Sequence, residues 1–188
     1  MSFDLARSLR RYRPGFRKTR LDRRPDQELP FVPDQAEGGT ELLLDTCVYV
    51  DVMQGRAPQR VMKLIEVRLC NHSSVVLAEL THLSVRLDPA DARTKTVLTQ
   101  IYAAIADIPH HRLTAPSTPV LAEAGILAGL TVRLGSVGFG RHQALLNDAT
   151  LYLQAVDQGQ TMLTRNVREF DWFDQLLPSG RVLFYRQA

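Results

Sequence analysis

The chain has 188 residues, 45% of them hydrophobic, and a formal net charge of +3. That length fits one domain with room for a tail. No apolar run approaches the roughly 18–20 residues a membrane-spanning helix needs, and the charged start lacks the apolar stretch of a secretory signal. Cys47 and Cys70 belong to no Cys-x-x-Cys or Cys/His zinc pattern, which favours a reduced, cytoplasmic setting.

The net charge hides an asymmetry. Residues 1–24 hold nine Arg or Lys against Asp4 and Asp22, whereas the remainder holds fourteen basic and eighteen acidic groups. Residues 1–40 therefore read as a basic, flexible N-terminal extension, with Pro25, Pro30 and Pro33 favouring extended backbone and Gly38-Gly39 forming a hinge. Its arginines are also suited to nucleic acid phosphates or an acidic partner. Residues 41–188 form the folded domain.

Along that domain, short apolar runs alternate with helical periodicity. Leu42–Asp45 reads as a buried strand and Thr46–Gln54 as a short helix. Pro58 opens a second helix to about Cys70. Ser73–Val76 reads as a strand followed by a helix near Leu77–Leu87, and Pro89 starts a helical stretch to about Asp107. His111–Thr114 is a further strand, and a helix spans about Thr118–Arg133. Gly135, Gly138 and Gly140 mark a loop, a helix follows over His142–Asp157, and Gly159 stops it. Thr161–Thr164 and Val182–Tyr185 close the set. Strands alternating with helices imply an α/β fold, a central parallel sheet covered on both faces, with its site at the carboxyl ends of the strands.

Three carboxylates stand in apolar surroundings: Asp45 after Leu42-Leu43-Leu44, Glu79 inside Val75–Leu80, and Asp148 inside Ala144–Ala149. On a helix, Asp148 shares a face with Ala144, Leu151, Tyr152 and Ala155 and points toward protein. Each has an ordinary alternative: Asp45 can cap the next helix, Glu79 can pair with Arg86 or Arg93, and Asp148 can cap backbone or pair with an arginine. Together they suggest one cup for a hard divalent cation, because convergent carboxylates repel one another without one.

Leu43-Leu44-Asp45-Thr46-Cys47-Val48 resembles the opening motif of PIN-domain ribonucleases, in particular VapC-like toxins of toxin–antitoxin systems. Leu77-Ala78-Glu79-Leu80, Asn147-Asp148-Ala149 and Leu163–Phe170 resemble their second, third and fourth motifs, in order. The resemblance implies a three-layer PIN-like fold and an endoribonuclease dependent on Mg²⁺ or Mn²⁺, giving 5′-phosphate and 3′-hydroxyl ends. It implies Asp45, Glu79 and Asp148 as metal ligands, with Asn166 or Glu169 at the fourth acidic position. The Thr46 hydroxyl is placed to bond a metal water, a phosphate oxygen or Asp45, or else to cap backbone at the helix start. Arg141, Arg165 and Arg168 become candidates for substrate phosphate, against readings as loop or salt-bridge residues. An antitoxin partner and a homodimer are implied as well. Cys47 stands where the family usually has Asn, and Asp171 reads as an exposed helix residue. The competing reading is a non-catalytic PIN-like module that binds RNA or protein. A phosphotransfer enzyme is weaker, lacking an Asp-x-Asp pair after the first strand and a Gly-rich phosphate loop.

Overall fold

A computed structural model describes residues 3–35, 38–135, 137–179 and 181–188. Five strands form one parallel sheet: β1 (Leu42–Leu44), β2 (Cys70–Ser73), β3 (Leu113–Thr114), β4 (Thr161–Thr164) and β5 (Val182–Phe184), in the order β3-β2-β1-β4-β5. β1 is buried throughout, as a central parallel strand with both faces covered must be. The order reverses between β1 and β4, where Leu42 pairs with Thr161 and Leu44 with Leu163. This topological switch point opens a crevice beyond the strand ends.

The helices among the described residues are α1 (Leu5–Tyr12), α2 (Thr46–Met53), α3 (Gln59–Val67), α4 (Ser74–Arg86), α5 (Thr94–Ala106), α6 (Thr118–Gly135), α7 (His142–Asp157) and α8 (Val167–Leu176). α6, α7 and α8 pack on one another, and α2, α4 and α5 form a second group. α7 ends where the sequence places it. Gly159 adopts φ +69°, its N–H bonds Val156 O at 3.2 Å, and Gln160 N–H bonds Ala155 O at 2.8 Å, a Schellman closure.

Several boundaries differ from the sequence reading: the helix expected to reach about Cys70 ends at Val67, and the strand expected at His111–Thr114 is confined to Leu113–Thr114. The expected strand at Ser73–Val76 is the first turn of α4, because Ser73 Oγ accepts from Val75 N at 3.1 Å and caps the helix. The strand is instead the polar run Cys70-Asn71-His72-Ser73. Its buried groups are satisfied: Asn71 donates to Glu41 at 2.7 Å, Ser73 donates to Gln154 at 2.7 Å, and His72 bonds Tyr49. The helix expected from Pro89 begins at Thr94, because Asp88 and Asp91 hold a turn through Ala90 N and Arg93 N.

The larger correction concerns the extension. Residues 3–35 are packed against the domain rather than loose. Tyr12 is fully buried and Leu21, Leu29 and Val32 join the core. Ser8, Arg11 and Tyr12 all donate to Glu123 of α6. Val32 N–H bonds Phe184 O at 2.8 Å and Phe184 N–H bonds Pro30 O at 2.9 Å, extending the sheet past β5. Asp171, expected on the surface, is fully buried on α8 and receives Arg24 N at 2.8 Å and Arg24 Nε at 2.6 Å. A carboxylate is tolerated there because Gln175 completes its hydrogen bonds. The Gly-rich loop falls partly on Ser136, outside the described residues, while Gly135 closes α6 where a Cβ would meet Trp172 at 2.9 Å.

Arg24→Ala leaves Asp171 buried without its cation and should lower the unfolding free energy by about 3 kcal/mol. Urea titration measures this, with Arg20→Ala as the contrast. Arg20 is well exposed beside Asp22, and its loss should cost under about 0.5 kcal/mol.

Candidate functional site

β1 delivers Asp45 and β4 delivers Thr164 to the switch point, where Asp45 N–H bonds Leu163 O at 3.1 Å. Asp45 is 4% exposed. It occupies the cap position of α2, but its side chain makes no cap bond. Its Oδ2 instead accepts from Thr164 Oγ1 at 2.5 Å and Cys47 Sγ at 3.0 Å. Cys47 Sγ also accepts from Arg165 N at 3.2 Å, so the residue in the family's Asn position still ties Asp45 to the loop after β4.

Glu79 on α4 makes no pair with Arg86 or Arg93; Arg93 pairs with Asp91 at 2.7 Å. Thr46 Oγ1 donates to Glu79 Oε2, and Asn147 Nδ2 donates to Oε1 at 2.7 Å. Thr46 thus spends its hydroxyl on Glu79, a partner the sequence reading did not name. Asp148, half-buried on α7, accepts from Asn166 Nδ2 at 3.0 Å. The rest of its helix face holds as expected, except that Ala144 is exposed.

Both candidates for the fourth position lie here. Asn166 bonds Asp148 directly, while Glu169, 3% exposed at the start of α8, pairs with Arg168 at 2.8 Å and Arg141 at 3.2 Å. Arg141 is therefore an ion-pair partner at the rim rather than a free loop residue. Arg165 is held by a different acid, its Nε donating to Asp51 Oδ2 at 2.7 Å. Asp51 is fully buried and also accepts from Tyr185 at 2.9 Å and Gln187 at 2.7 Å. Sequence reasoning missed Asp51, although an acid inside Val48-Tyr49-Val50-Asp51-Val52-Met53 carries the signal used for the other three.

The electrostatics join these residues. Burial raises the pKa of Asp148 well above the ordinary carboxylate value, and the charges of Asp45, Glu79 and Glu169 raise it further. Asp45 is raised by burial and by Glu79, against lowering by its Cys47 and Thr164 hydrogen bonds. Among the described residues, however, no three His, Cys, Asp or Glu side chains stand at metal-coordinating spacing. Each of the three carboxylates is held by hydrogen bonds from neighbouring side chains. In kind the donors suit a hard cation: they are all oxygen, mutually repelling, and Asp45 and Asp148 are answered by neutral donors.

No family model and no curated protein matches the chain. Solved structures do. A chain of FitAcB from Neisseria gonorrhoeae matches with a TM-score of 0.56 at 19% identity, covering 77% of this chain and 96% of its own. DNA-bound VapBC from Salmonella typhimurium matches at 0.52 and 19%, covering 77% and 97%. VapBC2 from Rickettsia felis, bound to a DNA fragment from their promoter, matches at 0.52 and 18%, covering 76% and 96%. At such identities the likeness is one of fold. The architecture is the expected three-layer, PIN-like α/β fold, with helices on both sides of the parallel sheet. No helix among the described residues is long and apolar enough to cross a membrane.

Asp148→Asn should raise the melting temperature of the EDTA-treated protein at neutral pH. A folded-state pKa above the ordinary value means the folded form holds its proton more tightly, so this group's stability is full below the ordinary pKa and is lost as pH rises through the raised one. The gap between variant and parent should therefore be widest near neutrality and close on acidification. Scanning calorimetry across pH reads it, and a variant that melts lower at neutral pH would contradict the assignment.

Proposed function

We propose that the protein is a metal-dependent endoribonuclease of the PIN type, a VapC-like toxin held in check by an antitoxin. One observation carries this reading: Asp45 and Asp148 lie at the switch point of the sheet with hydrogen bonds from neutral donors alone, and the charges of Asp45, Glu79 and Glu169 all bear on Asp148. A fold-only role gives no reason to gather charge at that cost. The likeness to chains of VapBC and FitAcB structures supports the same class and a protein partner, while a homodimer follows from the family resemblance alone.

Asp45, Glu79 and Asp148 would hold Mg²⁺ or Mn²⁺, with Asn166 offering a neutral oxygen and Glu169 a further charge. When bound, the cation lowers the pKa of a water for attack on phosphorus and offsets charge on the phosphate oxygens. The protein's own groups do the positioning. Thr164 and Cys47 fix Asp45, while Thr46 and Asn147 fix Glu79 between α2 and α7. Arg141 and Arg168, gathered by Glu169, put guanidinium groups at the rim where a phosphodiester approaches.

Asp148→Asn is near-isosteric and should cut Mg²⁺- or Mn²⁺-dependent RNA cleavage by more than the roughly 100-fold that losing an outer-shell partner costs. Cleavage assays on purified protein, with and without each metal, measure this. Equal cleavage by variant and parent would reject the metal role. RNA binding by a parent that never cuts would favour the non-catalytic module instead.

A further inference from the structure

Beside the carboxylates lies a cavity of about 620 Å³ whose wall joins residues of the first and fourth motifs to Arg23 and Arg186 from outside them. Five guanidiniums line it: Arg141, Arg165 and Arg168 from the domain, Arg23 from the N-terminal extension, and Arg186 from the C-terminal segment. We propose that this cavity takes one phosphate-bearing nucleotide of a single-stranded RNA, adjoining the bond to be cut. The assignment rests on the nuclease reading and deepens it.

Charge is the first argument. The ion pairs of the five arginines lead to three carboxylates, and two of these are shared. Asp26 faces both Arg23 and Arg186, and Glu169 faces both Arg168 and Arg141. Arg165 pairs with Asp51. Each shared carboxylate leaves positive charge over, and the arginine side chains remain 32–57% exposed. Planar guanidinium forks match phosphate oxygens better than any other side chain does.

Shape and placement are the second. The volume falls within the range of small-molecule sites, about 300–1,000 Å³, and exceeds what a lone ion fills. Arg168 lies 5.2 Å from the centre of the Trp172 ring and Arg186 lies 5.5 Å from that of Phe31, so two guanidinium groups are held against aromatic rings. RNA bases stack on such planes once they are free of a duplex. The wall also includes Cys47, Asn166 and Glu169. Cys47 bonds Asp45 and Asn166 bonds Asp148, so the cavity adjoins the carboxylate centre.

The extension therefore belongs to the site. Arg24, bonded to Asp171 through its backbone and its side chain, anchors the segment and sets Arg23 at the cavity mouth. Long-range attraction by a loose tail is not required.

The test is binding by full-length protein carrying Asp148→Asn, so that cleavage does not confuse the reading. A labelled single-stranded oligouridylate serves as the probe, with fluorescence anisotropy read across a salt series. Adding Arg23→Gln and Arg186→Gln should weaken binding about tenfold. It should also reduce the slope of log affinity against log salt by about 0.7, the contribution of one phosphate on a single strand. A lower melting temperature with affinity and slope unchanged would mean that the two arginines only clasp the termini through Asp26, which overturns the proposal. Equal affinity for a duplex RNA overturns the single-strand assignment. If the combined variant melts below assay temperature, Arg186→Gln alone is read by the same criteria. Cleavage by the parent is measured separately. A parent that cuts RNA but binds it regardless of Arg23 and Arg186 removes the cavity alone. A parent that binds through them without cutting keeps the cavity and removes the nuclease reading.

Discussion

Repulsion felt by Asp148 of α7 from Asp45 at the end of β1, Glu79 of α4 and Glu169 of α8 is the constraint on which the site depends. A parallel sheet with a switch point supplies a crevice but not a reason to place acids in it. Here Asp45 and Asp148 are held by hydrogen bonds from Cys47, Thr164 and Asn166, none of which cancels charge. Such bonds orient an acid while leaving its demand for a counter-charge in place. Asp51 and Asp171 show the contrast: each is fully buried, and each has an arginine within 2.7 Å. The same residue type thus serves stability in two places and tension in another, and the partner decides which.

The parallel sheet, four of its five strands and α7 were legible from the pattern of apolar runs and punctuation. β1 and β4 are short, apolar and flanked by acids or Gly, and Gly159 closes α7 as a left-handed cap. The polar strand β2 was not legible, because Asn71, His72 and Ser73 are buried on the strength of partners as distant as Glu41, Tyr49 and Gln154. Nothing local in Cys70-Asn71-His72-Ser73 announces those contacts. Among the candidate residues, the sequence could name Asp45, Glu79, Asp148, Asn166 and Glu169, but not what each would bond. Asp171 misled because a charged residue beside Phe170 and Trp172 looks solvent-facing until Arg24 arrives from 147 residues away.

Composition could say that the first two dozen residues are basic; only the fold sorts those arginines by task. Arg17 donates to Tyr12 O and Leu176 O, Arg11 to Glu123, and Arg24 to Asp171 and Asp174. These stitch the segment down. A stretch of low apolar content stays ordered because its few large side chains, Tyr12 and Leu21 among them, reach the core and its cations find buried acids. Reading charge as a bulk property treats all of these arginines alike.

The margins of the sheet carry a last consequence. On one side β3 offers only two residues, and on the other Phe31 and Val32 lie along β5 and occupy its backbone groups. A strand with nothing beside it invites edge-to-edge growth into larger aggregates. With one border too brief and the other already lined at Phe184, copies of this chain have little means of joining by continuing the ladder.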